Sequence, residues 1–318
     1  MSNYAPIAVF AYNRPKHLWN TLNSLSQNFG AEKSSVHVFV DGPKSRADDL
    51  LCKECVELIG SFVKYFKEVS VTLAPENLGL AKSIISGVNQ ILLNSSKIIV
   101  IEDDLEISPY FLSYVNEGLV RYESDKTVGS IHGYVIPFTP IMDSSFFLRG
   151  GDCWGWGTWR DRWELFENDG ATLLSRLEQN KVCEIFDFQG SYPFTQMLRD
   201  QISGLNNSWA IRWHASLFLE NRLTLYPAKS LINNTGFDGT GTHTGISNVF
   251  SQKVSVEMPD FPSELVENIE ARARVQKWYS DVGFSGTKVK TINFARRYPR
   301  LTPLILKTTQ FFRRHERF

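Results

Sequence analysis

The stretch IIVIEDDLEIS, residues 98–108, sets Ile98, Ile99, Val100 and Ile101 directly against three carboxylates, Glu102, Asp103 and Asp104. So continuous an apolar run predicts a strand buried on both faces, and such strands belong to parallel sheets covered by helices. Three negative charges at the end of that strand lose hydration and repel one another unless a counter-charge meets them. A divalent cation suits the place: Mg2+ or Mn2+ is typically held by one or two carboxylates and completed by water and substrate phosphates. The competing reading makes the acids a solvated cap of the next segment. SPYFLSYVNEGL, residues 108–119, has the look of a helix with Ser108 at the N-cap and Pro109 at N1.

Upstream, the runs PIAVFAY, SVHVFVD, EVSVTLA and KIIVIED, followed by VGSIHGY, are short and rich in β-branched and aromatic residues. The segments between them carry helical spacing, as in Leu18, Leu22 and Leu25, or Leu80, Ile84, Ile85, Val88 and Ile91. This alternation predicts an α/β fold with a mostly parallel central sheet and helices on both faces. Ligands of such sheets sit beyond the carboxyl ends of the strands. Those ends carry Tyr12, Asn13 and Arg14, then Asp41 and Gly42, then Pro75, Glu76 and Asn77, then the three acids. Four strand ends thus supply one cleft.

The 318 residues, 42% hydrophobic and 13% aromatic, suffice to bury a core without covalent staples. Four cysteines are too few for a disulfide framework in a chain of this size, and Cys52 and Cys55 read as two ordinary helical residues. Lys and Arg balance Asp and Glu, 34 against 34, so no global charge argues for nucleic-acid binding. The N-terminal MSNYAPIAVFAYNRP lacks a basic leader and a long apolar run, which predicts a cytoplasmic protein. The tail differs. Residues 294–318 hold seven Lys and Arg against Glu316 alone, interleaved with Phe, Tyr, Leu and Ile. That composition suits a peripheral anchor on an anionic membrane surface, here the inner face of the cell membrane, or a docked helix with a solvated basic face.

VFAYNRPKHLWNTLNSL, VFVDG, ENLGLAKSIISGVN and VIEDDLEISPYFLSYV resemble, in order and spacing, the nucleotide-sugar half of GT-A fold glycosyltransferases. The set is most similar to bacterial family-2-like inverting enzymes and to the N-acetylglucosaminyltransferase I family, whose metal motif is likewise E-D-D. The resemblance covers roughly residues 5–125. It implies a Rossmann-like sheet, a nucleotide-diphosphate sugar as donor, with a UDP-sugar favoured, and Mn2+ or Mg2+ on Asp104. It implies further that Glu102 and Asp103 hold the ribose and the sugar, and that Asp41 contacts the nucleoside. Tyr12, Asn13 and Arg14 would lie at the nucleoside's edge, and Asn77, Gly79 and Lys82 would line the nucleotide. The residues themselves allow a plain turn at Asn77 and Gly79, and a solvated helix face at Lys82.

The resemblance continues through GGDCWGWGTWRDRW, NNSWAIRWHASLFL and LYPAKSLINNTGFDGTGTHT, segments similar to bacterial transferases of surface-polysaccharide pathways. It divides the chain into a nucleotide-sugar half (1–130), an acceptor half (131–260) and a C-terminal helical extension (261–318). Tryptophans among glycines make either an acceptor wall, with Trp154, Trp156, Trp209 and Arg212 touching a saccharide or lipid-linked saccharide, or a second Trp-rich core. Inverting transfer needs a carboxylate to take the acceptor proton. Relatives place an Asp two residues before the Trp of SWAIRW, where this chain has Asn207, which is no base. Asp152 is the substitute candidate, ahead of Asp161 and Asp200. His243, in the Gly- and Thr-rich segment, is a candidate metal or phosphate ligand, and His214 reads as a core residue. Two alternatives stand beside the transferase. One is an inactive carbohydrate- or nucleotide-binding relative, for which Asn207 speaks. The other is a sugar-nucleotide nucleotidyltransferase, against which AYNRPKH speaks, since it is no Gly-rich basic loop.

Overall fold

The computed structural model describes residues 4–239 and 248–283. Five strands form where the β-branched runs predict them: β1 (Ile7–Ala11), β2 (Ser35–Val40), β3 (Glu68–Leu73), β4 (Lys97–Glu102) and, after a short β5 (Leu105–Ile107), β6 (Val128–His132). Then follow β7 (Phe146–Arg149), β8 (Trp156–Trp159), β9 (Leu223–Tyr226) and β10 (Ile232–Asn234). Eight of them make one sheet in the order β3-β2-β1-β4-β8-β6-β9-β7. Only β8 and β7 run against the other six, so the sheet is mostly parallel. The α/β architecture expected from the sequence is what the chain forms, and it is consistent with a Rossmann-like GT-A sheet. Strands from either side of residue 130 share it.

Alternation along the central strands explains the two covered faces. Ile7, Val9, Ile99 and Ile101 point to the face covered by α1 (Pro15–Ser26), α2 (Arg46–Ile59) and, through its apolar residues, α4 (Phe111–Arg121). Ala8, Phe10, Ile98 and Val100 point to the other, under α3 (Leu80–Asn94) and the helix Trp209–Leu219. Each fully buried Ile or Val side chain here contributes about 1.5–3 kcal/mol relative to exposure. Cys52 and Cys55 lie free on the buried side of α2, where burial pushes their thiols up to about 11 and about 12. They behave as the helical core residues the sequence suggests.

The region after residue 107 departs from one expectation. Ser108 does not cap a helix: α4 begins at Phe111, and the Ser108 hydroxyl is buried against the Ser255 carbonyl. The acids therefore lead into β5, which pairs antiparallel with β10, and not into a solvated helix cap. A helix at Ile269–Val282, capped by the Asn268 side chain, packs near the β7 edge. Among the described residues no helix is long and apolar enough to cross a membrane. The basic tail and His243 lie outside the described residues.

Candidate active-site cleft

Glu102 ends β4, and Asp103 and Asp104 form the turn into β5. Thr21, buried on the apolar face of α1, pins that turn: its hydroxyl donates to the Asp103 carbonyl at 2.7 Å and accepts the Leu105 N–H at 3.1 Å. A polar residue in register with Leu18, Leu22 and Leu25 was the available signal for it. The counter-charge sought by the three acids is present within the chain. Arg14, at the N-cap of α1 just after β1, donates through Nη2 to Asp103 Oδ1 and, at 2.8 Å, to Asp104 Oδ2. Burial works against the guanidinium's charge, but Asp103 and Asp104 outweigh it and raise its pKa. Burial, then repulsion from Asp104 and Asp103, lifts Glu102 to about 8, and burial lifts Asp103 to about 7 although Arg14 pulls it down. Near neutral pH Glu102 is thus largely a protonated carboxyl, able to donate a hydrogen bond.

The same turn is tied from above. The Thr235 N–H and hydroxyl donate to the Asp104 carbonyl at 2.8 and 2.9 Å, and a Cβ on Gly236 would fall 2.1 Å from Asp104 Oδ2. Two residues on, Asp238 meets His17 of α1 at 3.2 Å, so residues 235–238 cross from β10 to α1 beside the acids.

Asp41 follows β2 directly and is buried. Its Oδ1 accepts the N–H groups of Gly42 and Leu78, and its Oδ2 accepts the Gly79 N–H and the Asn77 side-chain amide. A carboxylate offers about four acceptor positions, so these donors fill it. Asp41 thereby shapes the turn 77–79. Gly79 holds φ +76° and ψ 154°, a region nearly restricted to glycine, and starts α3. Gly42 is required as well, since a Cβ there would meet the Glu76 backbone at 2.3 Å. Lys82 is exposed on the first turn of α3. Asn13 donates to Asp48 at 2.6 Å and the Tyr12 hydroxyl accepts the Lys44 N–H at 3.1 Å, which turns both toward the start of α2.

Register brings the Gly-Trp segment to the acids. In the antiparallel β4–β8 pair Val100 lies opposite Trp156, so the Gly-Trp segment enters β8 at the end where β4 gives way to the acid turn, and Glu102 and Asp104 act on Cys153. Of the four expected acceptor contacts, Trp154 alone remains partly open at the cleft, edge-on to Tyr134 at 4.7 Å and to Phe237 at 5.6 Å. Trp156 and Trp209 are buried with Trp163 and Trp213 in a cluster of indoles, ring centroids 5.1–5.8 Å apart. Arg212 is buried too, donating to Asn168 and to the Ser208 carbonyl. These three are core residues and offer no surface to a saccharide. The adjoining glycines admit rings, not a ligand: a Cβ on Gly151 would lie 2.9 Å from the Trp213 indole.

Asp152 is 38% exposed at the side chain and accepts the Cys153 N–H at 2.8 Å. Its other oxygen is 3.8 Å from His132 Nδ1. That imidazole is neutral, because burial lowers its pKa and both nitrogens are in use: Nδ1 donates to the Tyr134 carbonyl and Nε2 accepts the Trp154 N–H. His214 is likewise buried and neutral, lowered to about 4 by burial, with Nδ1 donating to the Gly151 carbonyl. Asp152 is left as the carboxylate of this corner. Asn207 is exposed just before the helix Trp209–Leu219, whose N-cap is Ser208. Asp161 lies past the far end of β8, paired with Lys126 and Arg162, and cannot reach the cleft. Asp200, on the helix Phe194–Ile202, accepts from Gln196 at 2.8 Å.

The donor set for a cation is small. Among the described residues no group of three or more His, Cys, Asp or Glu side chains could hold a metal. Arg14 engages Oδ2 of Asp104 and leaves Oδ1 outside that pair. One carboxylate completed by diphosphate oxygens and water suffices for Mg2+ or Mn2+, so Asp104 fits such a site.

No family model matches the chain, and no curated protein matches it in sequence. Solved structures do resemble it. One is the mannosyltransferase PcManGT from Pyrobaculum calidifontis in complex with GDP-Man and Mn2+, 15% identical over 42% of this chain, with a TM-score of 0.30. Another is S. aureus TarS, 14% identical over 45% of this chain at a TM-score of 0.34. Its 1–349 fragment is 12% identical over 73% of this chain at 0.42. The chain spans 35%, 24% and 60% of those three chains, respectively.

Proposed function

We propose that this protein is a GT-A-type glycosyltransferase that moves a sugar from a nucleotide-diphosphate donor to a saccharide hydroxyl with inversion. The observation that carries the reading is the convergence, at the carboxyl ends of parallel strands, of the Arg14-bridged acid turn, the Asp41-held turn 77–79 and the Asp152 loop. Each element has a distinct task. The turn 77–79 and exposed Lys82 form the side along which a nucleotide lies. Glu102 meets a hydroxyl of the donor, and Asp103 fixes the Arg14 guanidinium at the cleft floor. Asp104 is the residue that would hold a divalent cation, which when bound takes up charge on the departing diphosphate. Asp152 accepts the proton of the attacking acceptor hydroxyl, a role open to a partly exposed carboxylate beside neutral imidazoles. A lipid-linked acceptor and contact of the basic tail with an anionic membrane belong to the same reading, supported by the tail's composition.

Calorimetric titration of UDP, GDP and dTDP, with and without Mn2+, on this protein and on Asp104→Ala tests the donor half. Metal-dependent binding of one nucleotide, lost in the variant, is expected; binding of none of them sinks the transferase. For the base, Asp152→Asn should keep nucleotide affinity and lose turnover, and unchanged turnover removes Asp152 from the mechanism.

A further inference from the structure

A groove of about 340 Å³ opens between the loop that follows β6 and the segment 252–257. Val135, Ile136, Phe138 and Ile141 line one side and Val254 and Val256 the other, with residues 228–230, just after β9, completing it. The surrounding fold holds both sides in place. Arg274 of the helix Ile269–Val282 donates to the Pro140 and Ile141 carbonyls at 2.7 Å, and Val135 and Phe138 share a buried cluster with Ala271 and Val275 of that helix. Opposite, the Gln252 N–H donates to Asn233 Oδ1 at 3.1 Å and the Ser255 N–H to the Ser230 carbonyl at 2.7 Å.

The polar groups of the lining are spent on that fold. The Ser230 hydroxyl accepts the Val135 N–H and donates to the Ile232 carbonyl. The Gln252 side chain donates to the Val135 carbonyl, and the Ser255 carbonyl accepts the Ser108 hydroxyl. What the groove offers a ligand is therefore apolar surface, with Ile141 and Val256 exposed at 50% and 65%. Its charge is positive. Lys229 is engaged by Glu257 at 2.7 Å, whereas the exposed Lys253 has no ion-pair partner among the described residues. One cation of the three charged lining residues is left uncompensated.

The groove adjoins the cleft through Tyr134, which directly precedes Val135. The Tyr134 ring lies 4.7 Å from Trp154, and its hydroxyl donates to the Phe250 carbonyl at 2.9 Å, two residues before Gln252. Both walls thus begin beside Trp154. We infer that this groove binds an anionic amphiphile, a single aliphatic chain ending in a phosphate, with the chain on the apolar walls and the phosphate on Lys253. A volume near the lower end of the roughly 300–1,000 Å³ of small-molecule sites suits one chain, not a protein segment. In the transferase reading, on which this clause alone rests, the ligand is the lipid-phosphate end of the acceptor, and the sugar beyond the phosphate meets Trp154. The chemistry of chain and anion stands on the groove itself.

The test is calorimetric titration of the full chain with hexyl, octyl and decyl phosphate, each kept monomeric, beside octanol and inorganic phosphate. Affinity should rise about three- to fourfold per methylene along the series, and inorganic phosphate should bind at least about tenfold more weakly than octyl phosphate. Lys253→Gln should remove the advantage of octyl phosphate over octanol. Val256→Asp, at an exposed position, should weaken octyl phosphate by about tenfold or more; where that variant fails to fold, Ile141→Asp is measured in its place. Affinity independent of chain length, folded variants that bind unchanged, or adherence to vesicles of anionic lipid without binding of monomeric octyl phosphate would each overturn the inference. Nucleoside diphosphate titration on the same sample separates the two readings. Octyl phosphate binding without nucleotide binding removes the transferase and leaves the amphiphile site, whereas normal nucleotide binding without octyl phosphate binding removes the groove alone.

Discussion

Glu102→Gln should make the protein more stable at pH 8.5 than the unaltered chain, and should make its stability less dependent on pH. The folded-state pKa of Glu102 is raised from 4.5 to about 8, first by burial and then by repulsion from Asp104 and Asp103. A raised carboxyl pKa costs stability only when the group ionises. Below about pH 4.5 both states bind the proton and there is no penalty; between about 4.5 and 8 the unfolded state has lost it while the fold keeps it, so the penalty grows, then levels off. At about 1.4 kcal/mol per unit, a shift of about 3.5 units gives at most about 5 kcal/mol, a large fraction of an ordinary folding free energy. Gln keeps the shape and a donor but carries no charge. The assay is urea denaturation at half-unit steps from pH 5 to pH 9, read as the difference between the two proteins, which cancels the groups that Glu102 does not act on. The difference should be small at pH 5 and reach about 2–5 kcal/mol by pH 8.5. A difference that stays constant across the range would refute the placement of Glu102, half-buried at the end of β4, in a field of like charge.

Asp41→Ala strips the acceptors from the Leu78 and Gly79 N–H groups and should cost about 2–4 kcal/mol in denaturant midpoints. Nucleotide affinity should fall with it, although Asp41 itself has no free acceptor, and unchanged affinity would separate the turn 77–79 from the nucleotide. Trp156→Ala should cost about 3–5 kcal/mol, because it opens the centre of the indole cluster. A thermal scan showing a cost below about 1 kcal/mol would return Trp156 to the cleft surface.

The strands of the first half and the acid turn were legible because a two-sided buried strand writes itself as an unbroken apolar run, and because charge at its end is conspicuous. The second half was less so. Tryptophan beside glycine has two physical solutions, a ring filling the missing side chain or a ligand filling it, and composition is the same for both; contacts such as Trp213 on Gly151 decide for the first. Arg14 was visible as a strand-end residue, but its role as counter-charge depends on β1 and β4 lying side by side, 88 positions apart for Arg14 and Glu102, roughly the reach that no local pattern encodes.

The antiparallel pairing of β4 with β8 acts as a ruler between the acid turn and Asp152. A slip of one residue would move the two ends by about 3.4 Å relative to each other and turn every β8 side chain to the opposite face. Trp156 and its neighbours, locked among indoles on one face, forbid that slip. The spacing of the two ends is therefore inherited from the core. A substitution in the indole cluster thus reaches the acid turn as a change of distance, although it touches neither end.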